Sequence, residues 1–449
     1  MKKYIQKKSE LISYFYEGCK PPSQWKVGTE HEKFPFHIQS HTPVSYDEEN
    51  GIKVFLTNLL SLGGEAICEK NNIIGIQYQD GSTITLEPGG QLELSGAPLE
   101  TIHETCLEVH DHLNKVKKAS EPLSIGFFGM GAHPATHKQN TPIMPKSMRY
   151  TYMREHFPTK GIHGTDMMLN TCTVQANYDF SSEEDMSKKV RVAMALQPIV
   201  TALFACSPFW EGHPTPYKSF RSHIWKHTDP DRCGILPFVF DTGFGFESYT
   251  DYALNVPLFT IKRNNNIIKA THYTFQDFMD GKIVEIDGEL PTIQDWEEHL
   301  TTLFPEVRIK KYIEMRGADC GPSKAICALP AFWTGLLYNG DALDQAYEYI
   351  QSWTYDQVNE LSHDVSTKGL QAQIKNKSTL EVAKDILDIS ISGLRKRKKL
   401  NTHQLDETIY LDPLLWTCQI GKTPAEEILK LYYDKWGQNI DHIYAHMAY

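Results

Sequence analysis

The chain has 449 residues, a formal net charge of −11 and 41% hydrophobic residues, with 20 Phe, 22 Tyr and 8 Trp among them. That supply of apolar and aromatic side chains builds a large core and excludes a disordered chain, while the acidic balance argues against a nucleic-acid surface. No run approaches the roughly 20 apolar residues of a membrane span, and Met1-Lys2-Lys3 leads into an amphipathic segment rather than a signal peptide. The expectation is a cytoplasmic protein, monomer or homodimer, with small-molecule partners and neither membrane nor nucleic acid.

In chain order, residues 1–20 read as a helix with Tyr4, Leu11 and Phe15 on one stripe, stopped by Lys20-Pro21-Pro22. Val27 to Phe34 reads as a strand with Glu30 and Glu32 on one face and His31 on the other. Residues 51–67 read as a helix ending at Gly63-Gly64. Then comes Tyr78 to Pro98, a hairpin: Thr83, Thr85 and Glu87 alternate with Ile84 and Leu86, Pro88-Gly89-Gly90 reverses the chain, and Gln91, Glu93 and Ser95 alternate with Leu92 and Leu94. With a three-residue loop, Glu87 faces Gln91, Glu93 is its diagonal neighbour, and Asp80 lies near the start of the same face.

Leu99 to Lys118 reads as an amphipathic helix whose histidines and glutamates face solvent. Ser124 to His133 is a buried strand entering a Gly-rich loop without the Walker spacing. That loop continues through Lys146, Arg149 and Arg154, a set that suits a phosphate and equally suits a solvated loop. Asp166 to Asn177 reads as one strand, and Ser181-x-x-Glu184 as the capping box of the following helix, which Pro198 should kink. Residues 209–260 form a long loop rich in Pro, Gly and aromatics, broken by Phe220 to Trp225. Residues 270–300 read as a small hairpin and helix. Arg308 to Arg316 reads as one strand with Arg308, Lys310, Tyr312, Glu314 and Arg316 on one face. From Pro330 the pattern is helical, with the basic run 395–399 on a solvated face. The nine cysteines have neither zinc spacing nor a favoured pair, so reduced thiols are expected. The fold class is α+β, one catalytic unit over 1–449 with a helical part from about 330.

Carboxylates gathered on one sheet face repel one another unless a cation joins them. Glu30, Glu32, Glu87, Glu93 and Glu314, with Asp80 nearby, offer only oxygen ligands, which select a hard cation such as Mg²⁺. Arg149, Arg221 and Arg316 can clamp phosphate or carboxylate oxygens. Metal, phosphates and an anionic substrate together point to phosphoryl transfer; no G-x-S-x-G or Cys/His signature supports a nucleophilic hydrolase.

At these residues the chain resembles a known family. G-T-E-H-E-K, T-L-E-P-G-G-Q-L-E-L-S-G-A-P-L, M-P-K-S-M-R-Y, R-S-H-I-W and E-M-R-G-A-D, in that order, are similar to glutamate–cysteine ligase of the plant and proteobacterial type, over about residues 24 to 350. The resemblance implies a glutamine-synthetase-like fold whose curved, mainly antiparallel sheet forms an active-site funnel. It implies ATP- and Mg²⁺-dependent formation of γ-glutamylcysteine through γ-glutamyl phosphate, the first step of glutathione synthesis. It makes Glu30, Glu32, Glu87 and Glu314 magnesium ligands, with Glu93 and Asp80 beside them. Arg316 would face the glutamyl phosphate, Arg221 the phosphates or the substrate carboxylate. Where the plant pattern has a redox-active cysteine pair, this chain has Ala270 and Glu285, and Cys320 follows R-G-A-D. Two alternatives stay open: a glutamate γ-ligase with another amine acceptor, and a non-catalytic relative that binds glutamate or nucleotide.

Overall fold

The computed structural model describes residues 3–145, 148–264 and 266–449. Strand β1 (Val27–His37) alternates at its start, burying Val27, Thr29, His31 and Lys33 and leaving Glu30 and Glu32 half-buried on the opposite face. It is joined by β2 (Glu65–Glu69), β3 (Asn72–Gln77), β4 (Thr83–Leu86), β5 (Leu92–Ser95), β6 (Ile125–Phe128), β7 (Thr173–Tyr178), β8 (Val307–Ile309) and β9 (Ile313–Asp319). They form one nine-stranded sheet in the order β8-β9-β7-β1-β5-β4-β3-β2, with β6 also on β1. Every pairing in it is antiparallel. The α+β class and the mainly antiparallel sheet are as expected.

The central hairpin keeps the register read from its alternation. Leu86 pairs with Leu92 and Thr85 with Glu93, and the Glu87 N–H donates to the Gln91 carbonyl at 2.7 Å. Its turn needs glycine twice, for different reasons. Gly90 has φ +90°, and a Cβ on Gly89 would stand 2.2 Å from the Leu169 carbonyl oxygen. The aliphatic face of the hairpin (Ile84, Leu86, Leu92, Leu94) is buried with Phe55 and Phe127, each Leu or Ile contributing about 1.5–3 kcal/mol. On β7 and β9, Val174, Ala176, Tyr178, Ile313 and Met315 pack into the core that also holds the helices Glu183–Phe204 and Ser323–Leu337. The sheet is therefore covered on its apolar side and leaves a polar side free for chemistry.

Several expectations are corrected. The stretch 51–67 is a helix only over Ile52–Leu60; Gly63 and Gly64, both at positive φ, end it, and β2 follows. Asp166 to Asn177 is not one strand: Gly164–Asn170 is helical and β7 begins at Thr173. The cap of the next helix is Ser182, whose hydroxyl accepts from the Asp185 N–H, one residue later than the capping box read from the sequence. Arg308 to Arg316 is a hairpin, β8 and β9, so Arg308 lies across from Glu314. The hairpin placed after 270 lies earlier, pairing Thr260–Arg263 with Asn266–Lys269, and Thr274 caps a helix instead. His112 on the helix Ile102–Ser120 is buried, donated to by Lys33 at 2.8 Å, rather than solvent-facing. Finally, Cys106 and Cys327 form a disulfide, with α-carbons 5.6 Å apart, tying that helix to Ser323–Leu337. Their 221-residue separation hid the pair from any spacing rule.

Candidate active site

On the polar side of the sheet, Glu30 and Glu32 of β1, Glu87 at the hairpin turn and Glu93 of β5 line one cavity open to solvent. Register explains the gathering. Glu32 pairs with Glu93, which pairs with Thr85, and Glu30 pairs with Gln175 of β7. Three of these carboxylates have a named donor: Glu30 accepts from Asn177 Nδ2 at 2.7 Å, Glu32 from the Thr173 N–H at 3.0 Å and Glu93 from Thr85 Oγ1 at 3.2 Å. Burial, reinforced by the Glu87 charge, pushes the Glu32 carboxyl up to about 8 against the pull of Arg221 and Arg316.

The same cavity also gathers cations, two of them from the same sheet. Arg149, Arg221, Arg308 and Arg316 line the same cavity, with Trp225 and Phe304 between them. Arg316 sits where β9 slips against β7: Met315 pairs with Ala176 but Ala318 with Val174, so one extra residue bulges from β9. A bulge re-aims side chains, and here Arg316 Nη1 reaches Gln175 Oε1 at 2.7 Å. Burial and Arg308 pull its guanidinium down to about 10, which leaves it cationic at neutral pH. Arg221, on the helix Phe220–Lys226, donates from Nη2 to the Arg316 carbonyl at 2.9 Å and lies 5.4 Å from the Trp225 ring centre. Arg149 Nη2 stands 3.4 Å from Thr301 Oγ1. Lys146 lies outside the described residues.

Two acidic residues named from the sequence stand elsewhere. Asp80 accepts from the Ser82 N–H and hydroxyl at 2.9 and 2.7 Å, bracing the approach to β4, and lines a different groove with Glu108 and His112. Glu314 is buried and pairs with Arg308, with Lys310 at 2.7 Å and with Arg316 at 3.7 Å. Burial alone would raise its carboxyl, but Arg308, Lys310 and Arg316 hold it well below the usual carboxylate range. Arg308 and Arg316, not Glu314, reach the cavity wall. A single strand over 308–316 would place all three on one polar face; the hairpin puts Glu314 under the arginines. Thr173, Gln175 and Asn177, which orient Glu32, Arg316 and Glu30, were not singled out. Their polar alternation with Val174 and Ala176 is the signal that marks them.

Among the described residues, no group of three or more His, Cys, Asp or Glu side chains converges as a ready metal cage. A family model described as glutamate-cysteine ligase family 2 matches residues 26–446. The chain belongs to that family. Glutamate–cysteine ligase B, chloroplastic, of Oryza sativa subsp. japonica is 48% identical over 443 residues, covering 98% of this chain and 87% of that one. Glutamate–cysteine ligase, chloroplastic, of Arabidopsis thaliana is 47% identical, covering 98% and 83%. As a member of the family the chain is an enzyme that ligates glutamate to cysteine. A crystal structure of the Francisella tularensis glutamate–cysteine ligase in complex with AMP shares the fold: the TM-score is 0.55 at 12% identity, over 94% of this chain and 87% of that one. The expectation of a cytoplasmic location is corrected by these relatives, which are chloroplastic enzymes by name. Among the described residues no helix is long and apolar enough to cross a membrane.

Proposed function

We propose that this cavity phosphorylates the γ-carboxyl of glutamate with ATP and then admits the cysteine amine. The observation that carries the reading is the gathering of Glu30, Glu32, Glu87 and Glu93 with Arg149, Arg221 and Arg316 around one cavity. The donor set fits magnesium. The ligands are all oxygens, and Glu32 is driven toward protonation by burial and by Glu87 unless a cation joins them. The lack of a ready cage is consistent, because Mg²⁺ is usually held by one or two carboxylates together with waters and substrate phosphates. Glu30, Glu32, Glu87 and Glu93 would hold the ion, which would supply positive charge to offset that of the phosphates. Asp80 and Glu314 are left out of that set, the first as a turn brace, the second as counter-ion to the arginines.

The rest follows from the residues themselves. A carboxylate is a poor electrophile, and phosphorylation gives it a leaving group. Arg316, fixed by Gln175 and backed by Glu314, is placed to meet charge growing on the phosphoryl oxygens; Arg221 holds the same anion from the helix side. Asn177 and the Thr173 N–H orient Glu30 and Glu32. Trp225, Phe304 and Met168 keep part of the wall apolar, which limits water at the acyl phosphate. The test is phosphate release from ATP and glutamate with each candidate amine in turn. Cysteine should give the highest kcat/KM, with ADP as the nucleotide product. Release with another amine but not cysteine would change the acceptor, pyrophosphate would mean an adenylate, and no release with any amine would leave only a binding protein.

A further inference from the structure

Asp319 ends β9, three residues after Arg316, and is 1% exposed. Its carboxylate accepts from the Cys206 N–H at 2.9 Å, from Ser207 Oγ at 2.6 Å and from Ser219 Oγ at 2.7 Å. Both hydroxyls are thereby turned to offer lone pairs to the first turn of the helix Phe220–Lys226. Ser219 Oγ, its N-cap, accepts from the Ser222 N–H at 3.0 Å, and Ser207 Oγ accepts from the N–H of Arg221 itself at 3.2 Å. The Ser207 carbonyl takes the Phe220 N–H at 3.0 Å. The hydrogen bonds that place Arg221 thus converge on one buried carboxylate, and that carboxylate is carried by the strand that also carries Arg316.

We propose that Asp319 is a positioning residue for the ligation, fixing the Arg221 helix to β9 so that the guanidiniums of Arg221 and Arg316 meet the same anion. The carbonyl of Arg316, 2.9 Å from Arg221 Nη2, is the second point of that attachment. A carboxylate suits the task because it accepts from both serines at once, whereas an amide in the same place must present a donor to one of them. An enforced geometry of this kind pays in turnover, since small displacements of a group aimed at developing charge are costly. The proposal rests on the assignment of Arg221 to the phosphoryl or glutamyl anion.

The test is a double-mutant cycle read in steady-state kinetics. Asp319→Asn should lower kcat at least tenfold and leave the KM for cysteine within twofold. Arg221→Lys should lower it at least a hundredfold, and Asp319→Asn added to Arg221→Lys should cost less than a further twofold. Ser219→Ala, which removes one arm of the clamp and leaves the buried charge, should cost three- to tenfold in the native background and little in Arg221→Lys; it decides the matter if Asp319→Asn does not fold. Equal fold losses in both backgrounds would overturn the positioning role while leaving the reading of the site intact. A near-native Arg221→Lys would overturn that reading, and the proposal with it. Rescue of Ser219→Ala by Ser219→Thr, which restores the hydroxyl, completes the case.

Discussion

Glu314→Gln separates two roles for one residue. The resemblance makes Glu314 a magnesium ligand; the structure surrounds it with Arg308, Lys310 and Arg316 in a buried network. Replacing it by a neutral isostere leaves three cations sharing a desolvated pocket without their anion. Breaking a buried pair by removing one partner costs about 3–5 kcal/mol. With an unfolding entropy of about 2.1 cal/mol/K per residue, 449 residues give roughly 0.9 kcal/mol per degree, so Tm should fall by about 3–5 °C. The assay is thermal unfolding beside a magnesium titration of activity. The folded Glu314 carboxyl is held low, so its contribution is present above the ordinary carboxylate pKa and is lost only as pH falls through the depressed value. The Tm gap should therefore persist at pH 5.5. Activity will fall in either case because Arg316 loses its support, so activity alone decides nothing. An unchanged Tm with a tenfold higher magnesium requirement would refute the counter-ion role and restore the ligand.

Glu30→Gln and Glu87→Gln should each cut turnover at least a hundredfold, about 2.7 kcal/mol, with little loss of stability; near-native rates at saturating magnesium would remove them from the metal site. The Cys106–Cys327 disulfide should be worth about 2–4 kcal/mol. A reductant should thus lower the Tm of the native chain and leave that of the Cys106→Ser/Cys327→Ser variant unmoved, and an equal response in both would show that the bond contributes nothing. Burial lowers His133 to about 3 and His299 to about 4, so the unfolded chain binds more protons than the folded one between those values and about 6.5. Stability is then complete above pH 6.5 and falls on acidification, each histidine costing about 2 kcal/mol by pH 5. His299→Gln should flatten that slope, and a variant as acid-sensitive as the native chain would rule His299 out.

What could be read in the sequence was local. The hairpin from Thr83 to Ser95 declared its register because period-two alternation and a Pro-Gly-Gly turn leave one pairing that buries all four aliphatic residues. With Glu30 and Glu32 on one face of β1, that was enough to place four of the cavity's carboxylates. The errors came where alternation alone does not decide. Alternation could not tell a single strand over 308–316 from a hairpin, and the difference moves Glu314 from the cavity to the layer beneath the arginines. The capping power of Asp80 competed with its reach as a ligand, and the nearby Ser82 won. Asp319 shows the same limit from the other side. Its neighbours in the chain say nothing of its task, because the three groups it holds belong to residues 206, 207 and 219, more than ninety positions away, and only the folded sheet brings them to one carboxylate.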